Sequence, residues 1–296
     1  MIYSYHKNVK RIEMKTPYLK YIFALLLFGS NGIVASMINL SSYEIVLLRT
    51  LIGSVLLITI FFIAREKLTF YQHKTECIFL AVSGIAMGTS WIFLYEAYDQ
   101  IGVSLASLAY YCGPVIVMIL SPLLFGEKLT KIKVCSFLVV LAGIFLVNGT
   151  AFENGKSVWG LVCGLLSAVC YALMVIFNKR VKHITGLENS MLQLFVAFVT
   201  VAIFVGFKQG YRMEIDVQSM IPIFVLGLLN TGIGCYFYFS SIGKLPVQTV
   251  AICGYLEPLS AVIFSVIFLK EAMLPIQIIG AVLIIGGAML GELKHK

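Results

Sequence analysis

Long apolar runs separated by short polar or charged stretches recur from residue 18 to residue 291. The pattern predicts ten helices, over 18–38, 44–64, 77–97, 103–125, 133–149, 158–177, 190–208, 219–241, 247–269 and 276–291. A helix of about 20 apolar residues crosses roughly 30 Å of hydrocarbon at 1.5 Å per residue. The ten-residue alternation of a membrane β-barrel is absent. No loop exceeds about 15 residues, which leaves no room for a fused soluble enzyme. The expected fold is an all-α membrane protein with ten transmembrane helices.

The second half of the chain repeats the first at a fixed spacing of 144 residues. Pro114 falls on Pro258, Glu127 on Glu271 and Gly143 on Gly287, with no gap between them. Further back, Glu44 falls on Glu188, Gly88 on Gly232 and Phe93 on Phe237. Each copy holds five predicted spans. Five is odd, so the second copy enters the bilayer upside down. Two inverted five-helix repeats are expected, 18–149 and 158–291, joined by an outer linker over 150–157. Inverted repeats of membrane helices are common in secondary transporters, with the substrate site between the copies near the midplane.

Charge sets the expected orientation. With the N-terminus placed in the cytoplasm, 17 of the 22 Lys and Arg fall on the inner side. Lys156, Lys208, Arg212 and Lys270 fall outside, and Arg49 lies within a span. Both termini are therefore expected in the cytoplasm of a multi-pass protein of the cell membrane. The net charge of +8 invites a nucleic-acid reading. Its scatter over short loops matches membrane topology instead, and no nucleic-acid partner is expected. Residues 1–17 read as a disordered cytoplasmic tail, since no small-residue cleavage site follows them, and 292–296 as a second tail. The seven cysteines lie in or beside spans without a C-x-x-C and read as packing residues. The four histidines lie in tails or loops without metal-ligand spacing, so no metal or other cofactor is expected.

Several segments carry a family resemblance. An apolar run with Pro114 ends in Phe-Gly-Glu-Lys-Leu (125–129), followed by Leu-Ala-Gly-Ile-Phe-Leu (141–146). The second copy has Leu-Glu-Pro-Leu (256–259), Leu-Lys-Glu (269–271) and Ile-Gly-Gly-Ala-Met-Leu (285–290). From Tyr18 to Gly291 the chain resembles the EamA family of the drug/metabolite transporter superfamily. The resemblance implies a ten-helix bundle around a central cavity lined mainly by spans one, three, four, six, eight and nine. It also implies export of amino acids or related metabolites, or the movement of drugs or cofactors. One departure is visible: the first copy has Gly113 where the second has Glu257, so the cavity is expected to be electrostatically lopsided.

Glu257 is the leading site candidate. It lies about ten residues into the ninth span, roughly 15 Å deep at 1.5 Å per residue. A carboxylate there costs about 2.5–3.5 kcal/mol on insertion scales, so it should face a partner or a wet cavity. It can alternately bind a proton and a substrate amine. It can equally serve structure by donating to a carbonyl freed by Pro258. Pro114 and Pro258 are expected to kink their helices at matching depth, as hinges or simply as bends for packing. The kinks should free the carbonyls of Tyr110 and Gly254. Arg49 can bind a substrate carboxylate through its guanidinium fork, or snorkel outward or pair with Glu44. Its counterpart in the second copy is Gln193. Glu127 and Glu271 read as caps of the helices that follow them or as partners of loop lysines.

The expected substrate-binding set is Asn31, Ser90, Trp91, Tyr95, Tyr110, Tyr111, Tyr171, Asn230, Tyr236, Tyr255 and Glu257. Tyrosine hydroxyls and amides at depth need partners, either a ligand or a neighbouring helix. Aromatic walls suit apolar amino acids and also organic cations. Gly84-x-x-x-Gly88, Gly160-x-x-x-Gly164 and Gly287-x-x-x-Gly291 allow close helix packing without defining an oligomer. The expected function is alternating-access export of a small metabolite, most simply an amino acid, with protons a candidate coupling partner. The alternative is export of lipophilic cations. An intramembrane enzyme would need a nucleophile–base pair or metal cluster in the spans, and none is seen. The absence of G-x-x-x-x-G-K-[ST] argues against direct use of ATP.

Overall fold

The computed structural model describes residues 2–101, 103–148, 158–269 and 275–292. Among them all regular structure is helical, in the order α1 (Ile2–Gly29), α2 (Asn31–Ala35), α3 (Ser42–Ile63), α4 (Lys74–Ile101), α5 (Val103–Tyr110), α6 (Cys112–Phe125) and α7 (Lys131–Asn148). Then follow α8 (Val158–Asn178), α9 (Gly186–Lys208), α10 (Val217–Phe224), a π-helical segment (Val225–Ile233), α11 (Gly234–Ile242), α12 (Val247–Cys253), α13 (Leu256–Leu269) and α14 (Pro275–Glu292). A short 3₁₀ turn, Phe70–Gln72, precedes α4.

Six of the described stretches are long and apolar enough to cross a membrane: Thr16–Ala35, Ser42–Ile63, Lys74–Ile101, Val158–Asn178, Gly186–Lys208 and Val217–Ile242. The expected spans 133–149 and 276–291 correspond to α7 and α14. The expected spans 103–125 and 247–269 are each split in two. The disordered tail expected over 1–17 is corrected: α1 is already helical from Ile2. No glycine or proline precedes Pro17, and the segment is rich in helix-compatible Lys, Arg, Glu and Met. Lys270, Glu271 and the linker 150–157 lie outside the described residues.

Close contacts order the bundle. α4 and α8 run antiparallel: Ser83 Oγ donates to the Met174 carbonyl and Ser90 Oγ to that of Ser167, while Gly160 lies against Ile101. α4 also packs on α9, α3 on α9 and on the π-helical segment, α11 on α1, and α7 on α14. Small residues allow these approaches. A Cβ at Gly84 would sit 2.6 Å from the Val196 side chain, and one at Gly88 2.8 Å from the Ala197 carbonyl. At the α7–α14 contact a Cβ on Gly143 would lie 2.6 Å from the Gly280 carbonyl, and one on Gly287 2.9 Å from that of Ser136.

Three helix breaks meet near the middle of the bundle: Ser30 between α1 and α2, Tyr111 between α5 and α6, and Gly254–Tyr255 between α12 and α13. Two of them lie just before prolines. A proline lacks the N–H for a continuous ladder and clashes with the carbonyl four residues back. The chain therefore stops and restarts, with Pro114 and Pro258 in the first turn of the new helix, where the missing N–H is tolerated. This corrects the expectation of kinks within continuous helices. The Gly254 carbonyl is not left free either, since it accepts from Glu257 N at 3.2 Å. The Tyr255 hydroxyl donates to the Tyr111 carbonyl at 3.1 Å and so ties the two proline breaks together.

Candidate functional site: a charged, aromatic-walled cavity

Glu257 stands one residue into α13, just past the helix break, and faces a cavity of about 380 Å³. The cavity is shared by α1, α2, α3, α4, α5 and α13 and runs past Trp91, Tyr95 and Tyr98 to the exposed Asp99 at the end of α4. Its inner end narrows to about 50 Å³ between Met87, Ser90, Tyr171, Tyr238 and Phe239. Because α4 and α8 are antiparallel, the C-terminal end of α8 lies away from the Asp99 mouth. There the Lys179 ammonium donates to the carbonyls of Ile242 and Leu245. Glu127 accepts from the amides of Val247 at 2.7 Å and Gln248 at 3.1 Å. Glu127 thus caps α12 and not the helix that follows it in sequence, which corrects the expectation.

Arg49 enters the same cavity from α3 and is only 3% exposed. Its Nε donates to Thr231 Oγ1 at 2.9 Å and its Nη1 to the Tyr95 hydroxyl at 3.2 Å. Its guanidinium lies 4.8 Å over the Trp91 ring. Its Nη2 is buried with no hydrogen-bond partner. The option of pairing with Glu44 is corrected. That carboxylate closes a capping box at the start of α3, accepting from the amide and hydroxyl of Ser41. Among the described residues the sole ion pair joins His183 to Glu76, so Arg49 and Glu257 share the cavity unpaired. No hydrogen-bond donor reaches the Glu257 carboxylate among these residues either.

Most of the expected binding set converges. Asn31, Trp91, Tyr110 and Glu257 line both parts of the cavity. Tyr95 and Tyr111 line its wider part, and Ser90 and Tyr171 its inner end. Ser90 is committed to Ser167 on α8, and the Tyr171 hydroxyl meets that of Tyr238 at 3.2 Å. Three expected residues are not in the wall. Asn230 Nδ2 donates to the Leu27 carbonyl, Ser30 Oγ and Asn31 Oδ1 at 2.8–3.0 Å, holding the α1–α2 break. Tyr236 lies under the Lys20 ammonium, 5.1 Å from it. Tyr255 is fully buried and ties the proline breaks.

Sequence reasoning missed Phe28, Met87, Tyr98 and Thr231. Met87, Trp91, Tyr95 and Tyr98 recur at helical spacing, a stripe that points all four to one face of α4. Thr231 had no comparable signal, because its contact with Arg49 spans 182 residues. Among the described residues no group of three His, Cys, Asp or Glu is placed to hold a metal ion.

An all-helical membrane protein with a charged cavity among its helices has the architecture of a small-molecule carrier. The profile of the EamA-like transporter family matches residues 16–149 and again residues 158–291. The chain belongs to that family and is a multi-pass membrane transporter of the drug/metabolite type. It is similar to the uncharacterized transporter YxxF of Bacillus subtilis (strain 168), 24% identical over 98% of this chain and 93% of YxxF. The uncharacterized transporter YoaV of the same organism is 24% identical over 82% of this chain and 84% of its own. The WAT1-related protein At3g02690, chloroplastic, of Arabidopsis thaliana is 23% identical over 64% of this chain and 48% of that protein. A protein crystal structure, 20% identical, shares the fold with a TM-score of 0.79 over 94% of this chain and 98% of the other.

Proposed function

We propose that the protein is a secondary transporter that exports a small zwitterion, most simply an amino acid or a close derivative, by alternating access. One observation carries this reading. A buried guanidinium with an unpartnered Nη2 and a carboxylate without donors line one cavity and do not pair with each other. A zwitterion supplies both missing countercharges, its carboxylate to Arg49 and its ammonium to Glu257. Trp91, Tyr110 and Tyr171 offer an apolar side chain an aromatic wall, and their ring faces suit the ammonium. Glu257 binds either a proton or the ammonium, and this exclusive occupancy couples proton entry to substrate exit.

The inverted repeat belongs to the same proposal. Its support is the double match of the family profile and the reciprocal contacts Gly143–Gly280 and Ser136–Gly287, each pair 144 residues from the other. With both termini cytoplasmic, the Asp99 mouth faces outward and the cavity is outward-open. The breaks before Pro114 and Pro258 then act as the hinges about which the halves rock. The competing reading is an exporter of lipophilic cations, which Glu257 and the aromatic wall also suit. It leaves the unpartnered Nη2 of Arg49 without a purpose.

The test is flux of labelled neutral amino acids in proteoliposomes, with and without a pH gradient, for the wild type and Glu257→Gln. Flux that follows the gradient and fails in the variant supports the proposal. Amino-acid flux indifferent to both makes Glu257 structural and the protein a facilitator. A folded sample that moves lipophilic cations and no amino acid overturns the zwitterion reading.

A further inference from the structure

The π-helical segment Val225–Ile233 interrupts the stretch Val217–Ile242; it contains no proline itself and begins three residues after Pro222. π-helical turns recur at functional sites, where they re-aim side chains that a regular helix would point elsewhere. Here the turn does so at Thr231, which is 0% exposed. In a regular α-helix a threonine hydroxyl donates three or four residues back. The Thr231 hydroxyl instead reaches the Leu226 carbonyl, five residues back, at 2.8 Å. Its one hydrogen is thereby used, and its lone pairs accept from Arg49 Nε at 2.9 Å. Close packing prevents the segment from drifting off α3. A Cβ on Gly227 would lie 2.6 Å from the Ile52 side chain, and one on Gly53 3.0 Å from Thr231 Cγ2.

We propose that Thr231, aimed by the π-helical turn, is a positioning residue: it fixes the Arg49 guanidinium over Trp91 so that Nη2 is presented to the substrate's anionic group. The inference rests on the zwitterion reading for its substrate but not for its geometry. Of the five guanidinium N–H groups, Thr231 takes Nε–H, and Tyr95 takes one hydrogen of Nη1. Nη2 has no hydrogen-bond partner, and the residue lines the cavity. Tyr95 alone leaves the planar group free to turn about its contact with Nη1. Thr231 supplies the second point that stops this rotation. Its role is fixed by a lone pair, so serine can replace it and valine cannot.

The experiment compares Thr231→Val, Thr231→Ser and the wild type by two readouts. The first is transport of the neutral amino acid that the wild type carries best, beside its decarboxylated amine. Losing a hydrogen bond to a charged group predicts a KM for the amino acid raised about tenfold or more in Thr231→Val, with kcat little changed. Thr231→Ser should restore it, and the amine should be indifferent to both changes. The second readout needs no substrate. In a Trp159→Phe background Trp91 is the sole tryptophan. Its emission should shift in Thr231→Val and return in Thr231→Ser.

Should the wild type carry no amino acid, the zwitterion reading fails and the emission of Trp91 alone decides the position of Arg49. If Thr231→Val does not fold, Thr231→Ala replaces it. The inference is overturned if the hydroxyl-free variant matches the wild type in emission and KM. It is also overturned if serine is as damaging as valine, or if kcat falls at unchanged KM.

Discussion

Arg49 and Gln193 hold matching places in the two copies, as do Glu257 and Gly113, yet the four residues meet different surroundings. Arg49 and Glu257 look into the cavity. Gln193 is sealed in a polar knot, where its Oε1 accepts from Asn178 Nδ2 at 3.2 Å and the same amide reaches Asn189 Oδ1 at 2.9 Å. Gly113 is pressed against α8, with the Tyr171 ring 2.7 Å from where its Cβ would be. One scaffold thus lines the cavity with one member of each pair and packs the other closely, and on the proposed function the cavity members recognise the substrate. A buried charge is tolerated only where a partner or water can reach it, and the cavity supplies that at two of the four positions.

The sharpest way to break this contrast is to make the first copy resemble the second at the charged position. Arg49→Gln should raise the KM for a zwitterion about 10- to 100-fold, the worth of a hydrogen bond to a charged group. Arg49→Lys should not restore it, because an ammonium lacks the planar fork. Uptake kinetics in proteoliposomes check both; equal KM for the three proteins would remove Arg49 from recognition.

At the packed mate of Glu257 the effect should be on stability. Gly113→Ala forces a methyl against Tyr171 and should destabilise the fold by about 1–3 kcal/mol. A thermal melt in detergent reads this directly, and an unshifted midpoint would mean that α6 and α8 separate freely. Gln193→Ala should do less. It loses one hydrogen bond and also removes the buried, unpartnered Nε2, so stability should change by about 1 kcal/mol or less. KM should stay the same, and a raised KM would place Gln193 on the substrate path.

The smallest expected effect lies at the surface, where carboxylates serve helix ends. Asp216 caps α10, and the hydroxyl and amide of Ser219 hold its carboxyl below the usual carboxylate range. A depressed folded value favours the folded state above the unfolded value and loses that advantage as pH falls through the folded one. Hydrogen exchange at the first amides of α10 should therefore speed up on acidification in the wild type, beyond the intrinsic change. Asp216→Asn should largely abolish that extra pH dependence. Equal pH dependence in both proteins would deny the cap any electrostatic part.

The contrast between the copies also separates what could be read along the chain from what could not. The helices, the 144-residue spacing and the one-sided placing of Glu257 and Arg49 were legible, because apolar periodicity and residue identity are local properties. The stripe Met87–Trp91–Tyr95–Tyr98 was legible in principle, since helical spacing alone places it on one face. Tertiary structure alone decided which polar groups were already used. Asn230 looked like a ligand for substrate and is taken up by the α1–α2 break, through partners about 200 residues away. Tyr255 is taken up by Tyr111, and Arg49 keeps one nitrogen free because Thr231 and Tyr95 satisfy only the others. A side chain's chemistry belongs to the sequence. Whether its hydrogen-bonding capacity remains available is settled only when distant helices meet, since buried polar groups take whichever partners the packing brings within about 3 Å.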